Sequence, residues 1–206
     1  MEKDRPMKKM AEAFKELCNR LNQFPEGEEA RLELAAFSNA CSLLSPLIRC
    51  LGIAFLFAEI DYVAKVNDLV KASKSVSLLP VMIDDDIRSD CVRKAGSHTR
   101  NLLRLKRTLD MIRILFEEIM CTEGNSLKDP ASKAYKVFSP YHGWAIRKAV
   151  TAGISEALAT KSELLNKMNE DEISSRIQMQ SFVSSAAIVG QYIDQLFISR
   201  GLGTDW

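Results

Sequence analysis

Between Ser97 and Met120 the chain reads SHTRNLLRLKRTLDMIRILFEEIM. Apolar residues recur in this stretch at spacings of three and four, at Leu102, Leu105, Leu109, Ile112, Phe116 and Ile119. That period is typical of an amphipathic α-helix, in which residues three and four apart share a face. Gly96 breaks the preceding segment and Ser97 is a suitable N-cap. The sequence therefore predicts a long helix that starts after Ser97 and forms a central part of the core.

The same helical spacing runs through most of the remaining chain. Met10, Phe14, Leu17 and Leu21 mark a first helix, which Pro25 and Gly27 end. Further helical segments are predicted at about 32–52, with a start or a kink at Pro46, and at 53–71, 78–93, near 131, 143–158, 161–168 and 170–199. Few stretches alternate apolar with polar residues, so strands have little support. We therefore expect an all-α fold of about eight helices.

Length and composition favour one domain without a polyanionic partner. With 206 residues, 47% of them hydrophobic, the chain can build one sizeable core. We predict a single domain over residues 1–206, in which 1–8 are flexible. The 28 Lys and Arg almost cancel the 27 Asp and Glu, so nucleic acid is not a predicted partner. Any basic site must be local.

Cysteine usage and hydropathy predict a cytosolic protein. The five cysteines are an odd number without CxxC spacing, as expected of reduced thiols. The first residues, MEKDRPMKKM, carry charge where a secretory signal would be apolar. The longest strongly apolar run, 51–58, is far shorter than the roughly 20 residues of a membrane span. Contact with a membrane is therefore expected only at its surface.

Two pairs of charged residues are candidates for a binding site. Asp61 and Lys65 are four apart, so on a helix they could simply form an exposed ion pair. Arg100 and Arg104 are also four apart, with no acidic residue three or four positions from either. Two adjacent guanidinium groups favour an anion, although a solvated basic face fits the same pattern. The residues alone leave both interpretations open.

Other polar residues carry weaker signals. A lone histidine such as His142, just before Trp144, is more often structural than functional. The acidic run Asp84–Asp86 does not predict a metal site, because successive helical residues point in different directions, and a solvated turn is favoured. His142 and Asp61 could support acid–base chemistry, but no metal-ligand set or nucleophile motif accompanies them. We therefore predict neither enzymatic activity nor a cofactor.

Three segments carry a resemblance to a known family. They are FAEIDYVAK (57–65), AGSHTRNLLRLKR (95–107) and HGWAIRKAV (142–150). These segments resemble the glycolipid transfer protein superfamily, and most closely its plant accelerated-cell-death branch, whose members transfer ceramide-1-phosphate. The match runs from about residue 9 to the final GTDW, in the family order. It implies a two-layer helical sandwich in which a surface headgroup site opens into an apolar pocket.

The resemblance also implies a role for each candidate residue. Asp61 would accept hydrogen bonds from the ceramide amide N–H and hydroxyl, and His142 would donate to the amide carbonyl. The phosphate would be held by Lys65, Arg100 and Arg104. Trp144 and Lys148 would dock the protein on a membrane. The pocket wall would include Phe55, Leu103, Leu109, Ile112 and Phe116, although ordinary core packing predicts the same pattern.

Arg104 indicates which lipid is carried. Sugar-transferring members of the family have a tryptophan at the corresponding place, and an arginine there favours a compact anion over a neutral hexose. The implied function is a monomeric, cytosolic carrier of ceramide-1-phosphate that touches membranes transiently and restrains programmed cell death in a plant. The alternative is a helical interaction protein whose basic cluster binds an acidic partner without lipid.

Overall fold

The structure is a computed structural model that describes residues 4–25 and 28–206. Its α-helices are α1 (Pro6–Leu21), α2 (Leu34–Ser42), α3 (Ser45–Cys50), α4 (Leu56–Ala72), α5 (Leu79–Arg88), α6 (His98–Cys121), α7 (Lys128–Phe138), α8 (Trp144–Glu156), α9 (Lys161–Lys167) and α10 (Glu172–Ser199). Short 3-10 turns, Ile53–Phe55 and Ser139–Tyr141, precede α4 and α8. The described ranges contain no β-strand, which confirms the all-α prediction. Pro46 lies in the first turn of a separate helix, α3, so the described chain has slightly more helices than the predicted number of about eight.

Helix α6 lies at the centre of the fold, as its apolar stripe predicts. All six residues of the stripe are buried, and α6 packs against α4, α5, α7 and α10. The predicted N-cap is confirmed, because Ser97 Oγ accepts the Arg100 N–H at 3.1 Å. This cap satisfies one of the free amide groups at the helix start.

The acidic run lies on α5 and helps to anchor the start of α6. Asp86 is buried, and its Oδ2 accepts hydrogen bonds from the Thr99 N–H and from Ser97 Oγ, both at 2.8 Å. Asp84 pairs with Arg200. The predicted solvated turn is therefore wrong: the helix spreads these carboxylates, and one reaches the positive end of α6.

A polar connection fixes α4 against α6. Asp68 on α4 lies 2.8 Å from Asn101 Nδ2 and 2.8 Å from His98 Nδ1, two residues in the first turn of α6. The two helices that carry the predicted cations are thereby held side by side. Lys65 and Asp61 lie about one turn and two turns before Asp68 on α4, so they face the same pair of helices.

The core joins the first and last helices to α6. Phe14, Phe116 and Phe182 pack edge to face, with ring centroids 5.1 and 5.5 Å apart, and connect α1, α6 and α10. Within the segment predicted to be flexible, residues 6–8 belong to α1 and Met7 is fully buried, whereas 1–3 lie outside the described residues. None of the helices in the described chain has the length and hydropathy needed to cross a membrane.

Candidate functional site

Asp61 and Lys65 form an ion pair on α4. The Lys65 side chain is only 9% exposed, whereas that of Asp61 is 72% exposed, so a buried stem brings the ammonium to the surface beside the carboxylate. Lys65 Nζ also donates to the Asp61 carbonyl oxygen at 3.2 Å. An ammonium has three donors, so one is left for a ligand.

Arg100 and Arg104 lie on the neighbouring helix without such a partner. In residues 4–25 and 28–206, neither guanidinium has a carboxylate within 4 Å. Partial burial, together with the charge of Arg100, lowers the pKa of Arg104, and Asp61 opposes this shift. Two like charges side by side repel each other, and an anion between them would remove that repulsion.

His142 brings a third element to the same place. It follows the second 3-10 turn, and its Nδ1 lies 3.0 Å from the Tyr135 hydroxyl. Burial lowers the pKa of His142, the charges of Arg104 and Arg107 lower it further, and Asp61 opposes them. A lowered pKa favours the neutral imidazole at pH 7. Tyr141, the residue before His142, lies under the Arg107 guanidinium of α6, which places the imidazole next to this helix.

The five predicted headgroup residues therefore converge on one surface region. Lys65 pairs with Asp61. The charges of Asp61 and Arg100 both affect the pKa of Arg104, and the charge of Arg104 affects the pKa of His142. The region offers cationic donors, one exposed carboxylate and one neutral imidazole. This combination suits a phosphate next to a group that both donates and accepts hydrogen bonds. No cluster of metal-ligating side chains occurs in the described chain.

Sequence reasoning missed two neighbours of this site. The Arg107 guanidinium stacks 3.7 Å over the Tyr141 ring and donates to the main-chain oxygens of Thr204 and Trp206 at 2.8 and 2.6 Å. Its position one turn after Arg104 could have indicated it. Nothing in the sequence pattern singles out Tyr135, because its contact with His142 spans the end of α7 and the 3-10 turn Ser139–Tyr141 and therefore has no helical repeat.

An exposed apolar surface lies on elements next to the site. Trp144 is 69% exposed, and Lys148 Nζ lies 5.2 Å from the centre of its ring. The 3-10 turn before α4 contacts α8, and this turn and the first turns of α4 expose Ile53, Phe57 and Ile60. Phe57 is the most exposed of these, at 83%. Sequence reasoning identified Trp144 and Lys148 but not the α4 residues.

Comparison with known proteins identifies the family. Residues 32–170 match the model of the family described as glycolipid transfer protein. The chain belongs to the glycolipid transfer protein family. The resemblance carried by the three sequence segments is thereby confirmed.

Two Arabidopsis thaliana proteins are similar along almost the whole chain. Accelerated cell death 11 is 58% identical over 100% of this chain and 98% of its own length. The protein called ACD11 homolog is 40% identical over 98% of this chain and 89% of its own.

Solved structures confirm the glycolipid transfer protein fold, the predicted two-layer helical sandwich. A mutant of Arabidopsis accelerated-cell-death 11, crystallised with C12 ceramide-1-phosphate, matches with a TM-score of 0.94 and 57% identity, covering 100% of both chains. Mouse ceramide-1-phosphate transfer protein matches with a TM-score of 0.81 at 20% identity, covering 95% of this chain and 97% of its own. The second match concerns the fold alone.

Proposed function

We propose that this protein binds ceramide-1-phosphate and carries it between membranes. The observation that carries the proposal is the pair of adjacent guanidinium groups, Arg100 and Arg104, without a carboxylate partner in the described chain. Support comes from the 58% identity to accelerated cell death 11 and from the close structural match to its complex with this lipid.

In the proposed complex the phosphate is held by Lys65, Arg100 and Arg104. Guanidinium groups can bind phosphate oxygens in a bidentate manner, and such charge-assisted hydrogen bonds are about twice as strong as neutral ones. Asp61 accepts from the ceramide amide N–H and hydroxyl, and His142 donates to the amide carbonyl. A sugar would lose these charge-assisted contacts, so the site favours the phosphate lipid.

The lipid chains are proposed to enter the apolar interior behind α6. This helix presents Arg104 to the surface and Leu103, Leu109, Ile112 and Phe116 to the core, while Phe55 is half-buried. Transferring a chain of about 16 carbons out of water is favourable by roughly 12 kcal/mol, at about 0.8 kcal/mol per methylene. A protein interior that accepts the chains therefore removes most of the barrier to crossing water.

Membrane docking is proposed for the exposed apolar surface on α8 and α4. Trp144 prefers the interfacial zone of a bilayer, and the nearby Lys148 can meet anionic headgroups. Ile53, Phe57 and Ile60 extend this surface. Exposed apolar side chains in one region are costly in water but favourable at a membrane.

The protein is proposed to act as a monomeric carrier in the cytosol, without catalysing a reaction. None of its five cysteines forms a disulfide, in keeping with a reducing compartment. Restraint of programmed cell death belongs to the same proposal, by similarity to accelerated cell death 11. If the basic cluster instead binds an acidic protein, no lipid will be extracted from vesicles.

The decisive experiment is transfer of fluorescent ceramide-1-phosphate between vesicles, with galactosylceramide as the comparison lipid. The wild type should move the phosphate lipid only, and Arg104→Leu should lose transfer while staying folded. Arg31→Leu removes the same charge from an exposed position outside the site and should keep transfer.

Each other outcome identifies a specific error. Movement of neither lipid by the wild type would replace the carrier with the interaction protein. Transfer of galactosylceramide would show that Arg104 does not select phosphate. Breakdown of the lipid during incubation would identify an enzyme.

A further inference from the structure

Tyr135 is a buried residue of α7 whose hydroxyl group faces the headgroup site. The side chain packs in the core, and its ring centroid lies 5.6 Å from that of His142. The hydroxyl lies 3.0 Å from His142 Nδ1, and this is its sole hydrogen bond to the described residues. Only one hydrogen atom can lie between the hydroxyl oxygen and Nδ1. The group that donates it therefore determines which nitrogen of the neutral His142 ring carries a proton.

The phenol is the donor in this bond. Burial raises the pKa of Tyr135, opposed by Arg147, so the phenol keeps its proton at pH 7. If His142 Nδ1 carried the proton instead, the Tyr135 hydroxyl would have no acceptor among the described residues, and an unpaired buried donor is costly. With the phenol donating, Nδ1 is an acceptor.

The proton of the neutral imidazole is then on Nε2. This nitrogen has no hydrogen-bond partner within residues 4–25 and 28–206, so its N–H is available to a ligand. The surrounding charges are those of Arg104 and Arg107 on α6 and Asp61 on α4. The nearby cations disfavour a second proton on the ring, so His142 offers one N–H donor and no cationic charge.

We propose that Tyr135 is a positioning residue that holds His142 as the Nε2–H tautomer, so that the headgroup site presents a fixed neutral donor to a carbonyl oxygen of the ligand. The identity of that ligand rests on the proposed function. The tautomer itself is a property of the protein without lipid, and it can be measured separately.

The other histidine of the chain provides an internal contrast. His98 Nδ1 lies 2.8 Å from a carboxylate oxygen of Asp68, which can only accept a hydrogen bond when ionised. His98 therefore carries a proton on Nδ1, whereas His142 does not. Because the chain has just two histidines, labelling with ¹⁵N-histidine gives two ring systems that should differ in this respect.

The test is ¹⁵N NMR of the imidazole nitrogens in the full-length protein without lipid at pH 7.5, with the two rings assigned by His98→Gln. His142 should show an unprotonated, hydrogen-bonded Nδ1 and a protonated Nε2, and His98 should show a protonated Nδ1. In Tyr135→Phe the His142 Nδ1 signal should shift, because this nitrogen loses the hydroxyl group that donates to it.

Tyr141→Phe is the matched control, since it removes the hydroxyl of a neighbouring tyrosine while retaining the ring that stacks on Arg107. It should leave both signals of His142 unchanged. A protonated Nδ1 in the wild type, or His142 signals that are the same in Tyr135→Phe, would overturn the proposal.

Binding of ceramide-1-phosphate to the same variants separates this proposal from the proposed function. Tyr135→Phe should bind about tenfold more weakly than the wild type, and Tyr141→Phe should not. If the wild type shows the predicted tautomer but binds no ceramide-1-phosphate, the proposed function fails and the tautomer stands. If the lipid binds equally well to Tyr135→Phe, the positioning role is wrong.

Discussion

The first part of α6, residues 98–105, and the second part, residues 106–121, carry cations in different surroundings. Arg100 and Arg104, in the first part, have no carboxylate within 4 Å in the described part of the chain. In the second part, Lys106 Nζ lies 2.7 Å from both Asp110 and Asp194, so two carboxylates share one ammonium. Arg113, also in the second part, pairs with Glu117 at 2.7 Å.

The second part of α6 is joined to α10 by these pairs. The side chains of Lys106 and Asp110 are mostly buried, and Asp194 comes from α10. Gly190 allows this approach, because a Cβ there would lie 3.1 Å from Asp110 Oδ1. Buried charges are stable only when they are paired, so these contacts are structural.

The comparison between paired and unpaired cations on α6 shows which of them are available to a ligand. A paired cation has its donors occupied, and removing its partner leaves a buried charge. Arg100 and Arg104 instead repel each other in the free protein, which costs stability and indicates a site for an anion. In the proposed complex, the bound phosphate offsets this repulsion.

Replacing both free arginines should give the largest effect on function. Arg100→Leu/Arg104→Leu removes two charge-assisted contacts of about 1.5–3 kcal/mol each, so affinity for ceramide-1-phosphate should fall more than about 100-fold. The free energy of unfolding should not decrease, because no ion pair is broken. Vesicle binding and urea denaturation measure the two quantities.

A double variant with the same loss of charge controls for general electrostatics. Lys15→Leu/Arg31→Leu changes two exposed positions outside the site and should bind the lipid normally. If both double variants bind ceramide-1-phosphate equally weakly, net charge rather than the arginine pair determines binding.

Removing the paired lysine should have the opposite pattern. Lys106→Met leaves Asp110 and Asp194 without their ammonium, and we expect the free energy of unfolding to fall by about 2–3 kcal/mol. Transfer measured at a temperature where the variant is folded should be unchanged.

Lys8→Met is the control, since it breaks an exposed ion pair with Glu12. It should lower the free energy of unfolding by about 0.5 kcal/mol or less. Normal stability with lost transfer in Lys106→Met would show that the structural and ligand-binding roles of the two parts of α6 are assigned the wrong way round.

A smaller effect is expected where α5 anchors the start of α6. Asp86→Asn weakens the contacts to Thr99 and Ser97 and should cost about 1 kcal/mol at pH 7. Burial acts to raise the pKa of Asp86, but hydrogen bonds from these residues outweigh it and hold the pKa below 3.8. The ionised carboxylate therefore adds stability above pH 3.8 and loses it as the pH falls through the folded-state pKa.

Denaturation of wild type and Asp86→Asn across this pH range checks the linkage. The difference in the free energy of unfolding between the wild type and Asp86→Asn should shrink below pH 3.8. A difference that stays constant from pH 7 to pH 3 would show that the charge of Asp86 does not contribute.

The sequence predicts local features well where one residue determines them. Ser97 was recognisable as the N-cap of α6 because a serine directly before an apolar helical repeat is a strong helix-start signal. The apolar stripe that follows is buried as expected. Resemblance to the family also indicated His142. Tyr135 could not be found, because a hydrogen bond between side chains across a turn leaves no periodic pattern.

The exposed apolar surface shows a second limit of sequence reasoning. Helical spacing identifies apolar residues but does not tell whether another element covers them. Phe57 and Ile60 belong to the same apolar helix as Tyr62, yet Tyr62 is buried while Phe57 and Ile60 are exposed. Which face is covered depends on the packing of α2, α3 and α6 against α4, which only the structure gives.

The most direct test of the account is a crystal structure of the protein bound to ceramide-1-phosphate. We predict that the phosphate oxygens lie within hydrogen-bonding distance of Lys65, Arg100 and Arg104, with Lys106 still paired to its carboxylates. A phosphate located instead in the cavity of about 210 Å³ that Lys106, Arg107 and Arg113 help to line would contradict the distinction between the two parts of α6.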